Sequence, residues 1–227
     1  MALILKGKNV LVTGSAMGIG RGLSECFAKE GANLILVDLP GQKELLERWT
    51  AELHKNFRII TWTFYRDLTE SDGPERLYEQ VVRAVPEVHV LVNNAGFYPS
   101  GRVITVDGFE ECNQVNYLSP FLFTTLLQPL LIQSAPMQVV NLTPIGHRYV
   151  CPTPTPTAKN MFYWRWVAYC RSKLDIIPWT RELSERLNQY GITVNCVHPG
   201  VIRTKVIRFL PVSWGASVHS GAETVYR

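Results

Sequence analysis

Six short runs of apolar, largely β-branched residues recur along this chain, separated by segments long enough to hold a helix. They are NVLVT (9–13), NLILVDL (33–39), FRIITWTFY (57–65), VHVLVNN (88–94), QVVNLT (138–143) and ITVNCVH (192–198). Most are continuously apolar rather than alternating, which is how strands buried on both faces read. Amphipathic segments near 18–30, 41–54, 71–84, 107–132 and 160–190 fill the intervals. This order predicts an α/β fold, a doubly wound parallel β-sheet with helices on both faces. At 227 residues the whole chain, 1–227, is expected to form a single domain.

Charge and cysteine usage narrow the partners. The net charge of +4 is spread without a basic run, so neither nucleic acid nor a membrane surface is expected as a partner. The five cysteines, Cys26, Cys112, Cys151, Cys170 and Cys196, form no C-x-x-C pair. No metal site or disulfide framework is expected, and a reducing, cytoplasmic setting is. The apolar part of MALILKGKNV is too short for a signal peptide. The run YLSPFLFTTLLQPLLI is interrupted by Pro120, Gln128 and Pro129. It falls short of the ~20 apolar residues of a membrane span and reads as a buried helix.

The first strand leads into TGSAMGIG, where Gly14, Gly18 and Gly20 precede a helix. Small residues there let the backbone approach a pyrophosphate, and the helix N-terminus supplies amide donors and partial positive charge. A tight strand-to-helix turn would need glycine too, but a carboxylate follows at the right place. Asp38 closes the second strand, where it can accept hydrogen bonds from ribose hydroxyls and would repel a 2′-phosphate. The expected cofactor is therefore NAD(H) rather than NADP(H).

Further along, YRDLTE carries Asp67 and Leu68, LVNNAG ends the fourth strand, NQVNYL carries Asn116, WVAYCRSKLD carries Tyr169 and Lys173, and VHPGVIRT follows the sixth strand. With the glycine turn, these motifs resemble the short-chain dehydrogenase/reductase family in order and spacing, from about residue 7 to 208. DGFEECNQVNYLSPFLFTTLL and VHPG look most like its retinol-dehydrogenase-like branch, many of whose members prefer NADP(H).

The resemblance implies a Rossmann-like fold and an alcohol dehydrogenase or ketone reductase. By position it places Gly14, Ser15, Met17, Gly18, Ile19 and Gly20 in the cofactor turn, and Asp38 and Leu39 at the adenosine ribose. Asp67 and Leu68 fall at the adenine, Asn94, Ala95 and Gly96 under the ribose, and Pro199, Gly200, Val201 and Thr204 beside the nicotinamide. Asn116, Tyr169 and Lys173 match the family's catalytic Asn, Tyr and Lys. It also implies a homodimer or homotetramer paired through the long helices. A sugar epimerase or dehydratase of the extended relatives fits less well, because those have a different glycine spacing and a larger C-terminal part.

Residues four apart on a helix share a face, and of the nine tyrosines only Tyr169 has a lysine four positions later. A free phenol titrates near ~10, too high for a base at neutral pH, and a close ammonium lowers it. Tyr169 is thus expected to exchange the substrate proton while Lys173 lowers its pKa and holds the nicotinamide ribose.

The family's catalytic serine follows the fifth strand, in N-x-S-S. This chain has Asn141-Leu142-Thr143-Pro144, and proline has no side-chain or backbone donor. Thr143 is the expected substitute. His147 or Tyr149 could serve instead, or the protein could bind NAD(H) as a sensor or scaffold with little turnover. Two further departures stand out. Pro178 falls inside the expected helix 160–190, and family members continue with another helix and a seventh strand where this sequence ends at Arg227. The substrate side is expected to be apolar, lined from Met161, Phe162, Tyr163, Trp164, Trp166, Phe209 and Trp214.

Overall fold

The computed structural model describes residues 3–150, 163–203 and 215–226. Six strands pair in parallel: β1 (Asn9–Thr13), β2 (Asn33–Asp38), β3 (Thr61–Tyr65), β4 (Val90–Asn93), β5 (Met137–Leu142) and β6 (Ile192–Val197), in the order β3-β2-β1-β4-β5-β6. The order reverses between β1 and β4. The loops that leave their C-terminal ends diverge there and open a crevice.

The continuous apolar runs resolve into two faces. Leu11, Ile35, Val37, Leu91 and Val139 point to one core, with Leu77 and Val81 of α3 (Gly73–Ala84), and Phe123, Leu127 and Leu131 of α5 (Ser119–Gln133). Val10, Val12, Leu34, Leu36 and Val92 point to the other. Against them lie Leu23 and Phe27 of α1 (Gly18–Lys29), and Leu46 and Leu53 of α2 (Lys43–Phe57). Neighbouring strand residues alternate between these cores because side chains in a strand alternate faces. On edge strand β6, Thr193 and Asn195 are exposed, so its pattern is amphipathic.

Several boundaries differ from the expectation, each for a local reason. The third strand starts at Thr61 rather than 57, because α2 runs on to Phe57 and Arg58 turns left-handed (φ 54°) to end it. The long helix starts at Glu111 rather than 107. Gly108 sits at φ 81°, and the Glu110 carboxylate caps the helix by accepting from the Cys112 and Asn113 amides. It then runs as α4 (Glu111–Asn113), a π-turn over Gln114–Leu118, and α5. The run Glu111–Gln133 is long and apolar enough to cross a bilayer by composition, and here α5 packs on the sheet.

The last expected helix is two. α6 (Arg165–Leu174) and α7 (Ile176–Leu187) meet at Asp175. Pro178 accounts for the break: its ring collides with the carbonyl four residues back, at Leu174, and it has no amide to bond it. Pro178 therefore lies in the first turn of α7, where amides have no intrahelical partner, and costs that helix nothing. An unexpected helix, α8 (Val218–Tyr226), packs on α1, with Phe27 edge-on to Tyr226 at 5.6 Å.

Candidate active site

The glycine turn is built by close contact. A Cβ at Gly20 would lie 2.2 Å from the Gly14 carbonyl oxygen and 2.6 Å from Asn94 Nδ2, so no other residue fits without moving the turn. Gly14 and Gly18 have φ of 67° and 57°, a region that L side chains avoid. Asn94 Nδ2 donates to the carbonyls of Thr13 (2.7 Å) and Gly14 (3.0 Å). The amides of Asn94 and Ala95 donate to Thr13 Oγ1. The β4 exit is thus stitched to the β1 exit across the crevice, beneath the N-terminus of α1 that Met17 opens with extended backbone. Ile19 follows within its first turn.

Asp38 is held from both sides. Ala16 N donates to Oδ2 at 2.7 Å and Leu39 N to Oδ1 at 2.8 Å. These bonds fix the carboxylate at the strand end. An ionised carboxylate offers about four acceptor positions, so each oxygen can also accept from a hydroxyl. Ser15 donates to the Val37 carbonyl and ties the turn to β2. Asp67 accepts from the amide and hydroxyl of Thr69, while Leu68 is buried in the core. Past β6, Gly200 (φ 93°) turns the chain, Pro199 is buried, and the Val201 carbonyl accepts from the Ala216 amide. The close-packed glycine turn brings bare backbone to the N-terminus of α1, an arrangement that suits a dinucleotide pyrophosphate.

At the other end of the crevice, α6 buries both Tyr169 and Lys173. Lys173 Nζ reaches the Leu142 carbonyl at 3.5 Å, a long contact, and burial pushes its pKa down to about 8. Tyr169 sits among Tyr98 (rings 5.6 Å apart), Trp166 (6.4 Å), Cys112 and Cys170. Burial and then the two neighbouring thiols push its phenol above the usual range. The lowering expected from Lys173 does not prevail, because burial dominates at Tyr169.

Asn116 lies inside the π-turn, the kind of helical widening that recurs at functional sites. Its Oδ1 accepts from Phe97 N at 2.9 Å. Its Nδ2 donates toward Phe97 O (3.1 Å), Ser172 Oγ (3.0 Å) and Cys112 Sγ (3.2 Å).

Thr143 is buried. Its Oγ1 donates to the carbonyl of Lys173 at 2.8 Å, and its amide donates to Val197 O. A hydroxyl has one proton, so in this arrangement Thr143 has none left for a substrate oxygen. His147 Nδ1 donates to Pro144 O at 2.7 Å, which leaves Nε2 as the ring's other polar atom. The Tyr149 side chain, Met161, Phe162, Thr204, Phe209 and Trp214 lie outside the described residues. Tyr163 Oη donates to Glu110 Oε1, and Trp164 and Trp166 stay exposed at the start of α6.

The structure thus brings Asn94–Gly96, Asn116, Thr143, Tyr169 and Lys173 to the C-terminal ends of β4 and β5, with the glycine turn and Asp38 across the crevice. Sequence reasoning passed over Ser172 and Cys112, which bond Asn116. Their only sequence signals are helical spacing, four before Asn116 and three after Tyr169.

A family model for short chain dehydrogenase matches residues 8–211. The chain belongs to the short-chain dehydrogenase family. Retinol dehydrogenase 12 of Bos taurus is 34% identical over 206 residues, 90% of this chain and 64% of that protein. Retinol dehydrogenase 13 of Homo sapiens is 35% identical over 213 residues, 90% of this chain and 62% of that protein. This short-chain dehydrogenase therefore spans under two thirds of either relative's length. A short-chain dehydrogenase from Sphingobium yanoikuyae, solved in complex with NADPH, superposes with a TM-score of 0.78 at 23% identity, covering 95% of this chain and 82% of that one. At that identity the likeness shows the Rossmann-like fold alone.

Proposed function

We propose that this member of the family is an NAD(H)-dependent oxidoreductase that interconverts a hydrophobic secondary alcohol and its ketone. The observation that carries it is the convergence of Lys173 Nζ and Asn116 Oδ1 on Gly96, one helical turn from Tyr169, at the crevice the glycine turn opens. Bound NAD(H) would supply the hydride acceptor or donor. The turn from Gly14 to Gly20 would hold its pyrophosphate, and Asp38 its adenosine ribose, against a 2′-phosphate.

Tyr169 would take the alcohol proton during oxidation and return it during reduction. Its raised pKa suits the proton-donating direction as it stands. Lys173, drawn toward a ribose hydroxyl, would supply the nearby positive charge that oxidation requires. Asn116 would fix the adjoining backbone and support a proton-relaying water. Thr143 is the proposed clamp on the substrate oxygen, which requires its hydroxyl to turn from the Lys173 carbonyl.

Apolar surface at Trp164, Trp166, Tyr98 and Val201 supports a hydrophobic substrate, as do relatives called retinol dehydrogenases. The free thiols of Cys26, Cys112, Cys170 and Cys196 suit a reducing, cytoplasmic setting. Half-exposed Phe121 beside Trp179 on α5 and α7 would serve a homodimer or homotetramer contact. The proposed partner is a small molecule, and the apolar helix α5 would serve the core, where it packs on the sheet.

A second reading, an NAD(H)-binding sensor or scaffold, rests on Pro144 and on the commitment of the Thr143 proton to Lys173 O. The test measures NAD(H) and NADP(H) affinity first, then follows reduced-nicotinamide absorbance with a panel of alcohols and ketones. Tight NAD(H) binding with turnover supports the enzyme, binding without turnover supports the sensor, and a preference for NADP(H) overturns the role given to Asp38.

A further inference from the structure

Ser172 is completely buried, stands between Tyr169 and Lys173, and has no part in the mechanism above. Its bonds run in one direction. Ser172 Oγ donates its single proton to the Tyr169 carbonyl at 2.8 Å, so its lone pairs face outward and accept from Asn116 Nδ2 at 3.0 Å. Asn116 in turn holds both polar groups of one peptide residue, accepting from Phe97 N and donating to Phe97 O. Reversing the Asn116 amide would set its NH₂ against the Phe97 amide and its oxygen against the Phe97 carbonyl. The network therefore fixes the orientation.

Phe97 directly follows Gly96, the residue on which Asn116 Oδ1 and Lys173 Nζ converge. The chain of bonds thus runs from the floor of the crevice, through the π-turn, to the helix that carries the phenol and the ammonium. The Asn116 amide protons are committed within this chain, while its Oδ1 keeps a second lone pair for a water. Among its three acceptors, Cys112 Sγ is a weak one. Ser172 Oγ is the one that joins Asn116 to α6 itself.

We propose that Ser172 is a positioning residue for the reaction, acting through Asn116 to fix Tyr169 and Lys173 relative to the Gly96–Phe97 floor. This rests on the oxidoreductase reading above. Proton and hydride transfer both depend on placement, and a shift of about 1 Å in a reacting group can cost on the order of 100-fold in rate. A buried serine with a purely packing role would affect melting but not the rate of the folded enzyme.

The test compares Ser172→Ala and Ser172→Cys with wild type in the full chain. Ser172→Ala should lower kcat ~10- to 100-fold, with KM and NAD(H) affinity within about 2- to 3-fold of wild type. Ser172→Cys, close in volume and weak in hydrogen bonding, should fall between the two. In an Asn116→Ala background the Ser172→Ala change should add less than about 2-fold, because a residue acting through another loses its effect when that one is gone. Multiplicative losses in the double variant, or an unchanged kcat in folded Ser172→Ala, would overturn the proposal.

Exchange of the Phe97 amide proton in cofactor-free protein gives a separate readout. It should speed up in Ser172→Ala, and in Ser172→Cys if the alanine variant does not fold. An unchanged exchange rate breaks the proposed tie. If wild type binds NAD(H) but turns nothing over, the oxidoreductase reading fails, while the exchange result still decides whether Ser172 holds Asn116 to Phe97.

Discussion

Asn116 Oδ1 and Lys173 Nζ meet over Gly96: a Cβ built there would lie 2.9 Å from the first and 3.0 Å from the second. No side chain fits beneath them unless one withdraws. Gly96→Ala should therefore cost about 1–3 kcal/mol of stability by overpacking and at least tenfold in kcat/KM. Thermal melts and steady-state kinetics check it, and wild-type values for both would show that the convergence is loose.

Tyr169→Phe removes one oxygen from an apolar box formed by Tyr98, Trp166, Cys112 and Cys170. Packing and cofactor affinity should survive while turnover falls by at least ~100-fold, the usual worth of a positioned proton donor or acceptor. Near-normal turnover in this variant would remove Tyr169 from the mechanism.

Burial holds the Lys173 pKa down at about 8, against 10.5 for the free side chain. Between those two values the unfolded chain binds more protons than the folded one, so cofactor-free stability rises with pH across that window. Below about 8 the buried ammonium costs on the order of 3 kcal/mol. Lys173→Met should melt higher than wild type at neutral pH, lose turnover, and converge on wild type between pH 8 and 10.5. A melting difference independent of pH would show that the ammonium is not strained by burial.

Thr143 has two separable parts: a methyl in the buried loop, and a hydroxyl bonded to Lys173 O. Thr143→Val keeps the shape and loses the donor, which should destabilise the protein by about 1–3 kcal/mol by leaving that carbonyl unpaired. If the hydroxyl also clamps substrate oxygen, Thr143→Val loses turnover as well, while Thr143→Ser keeps most of it. Equal kcat in the valine and serine variants of the folded protein would assign Thr143 to structure alone.

The six strands, the glycine turn and the Tyr169–Lys173 spacing were legible because each is a local pattern with a local cause. Two-sided burial makes an apolar run, and a close backbone approach demands glycine. Four residues make one helical turn. Their limits were less legible. Arg58 ends α2 by a left-handed residue, and Glu110 starts α4 by capping two amides, choices that propensity alone does not rank. α8 was missed because SVHSGAETVY is a weak helix former, stabilised by burying Ala222 and Val225 against α1.

By itself the sequence determined the parallel sheet and the glycine turn at its switch point, since these follow from periodicity and from what glycine can do locally. Tertiary structure decided the state of the site residues. Burial among aromatic rings and thiols, with Tyr98 and Cys112 brought to α6 from distant parts of the chain, raises the Tyr169 phenol and lowers Lys173. Hydrogen bonds between residues 30, 19 and 56 positions apart commit the Thr143 proton to α6 and lock Asn116 between Phe97 and Ser172. Desolvation and long-range hydrogen bonds depend on what the fold packs around a group, and no spacing along the chain encodes that.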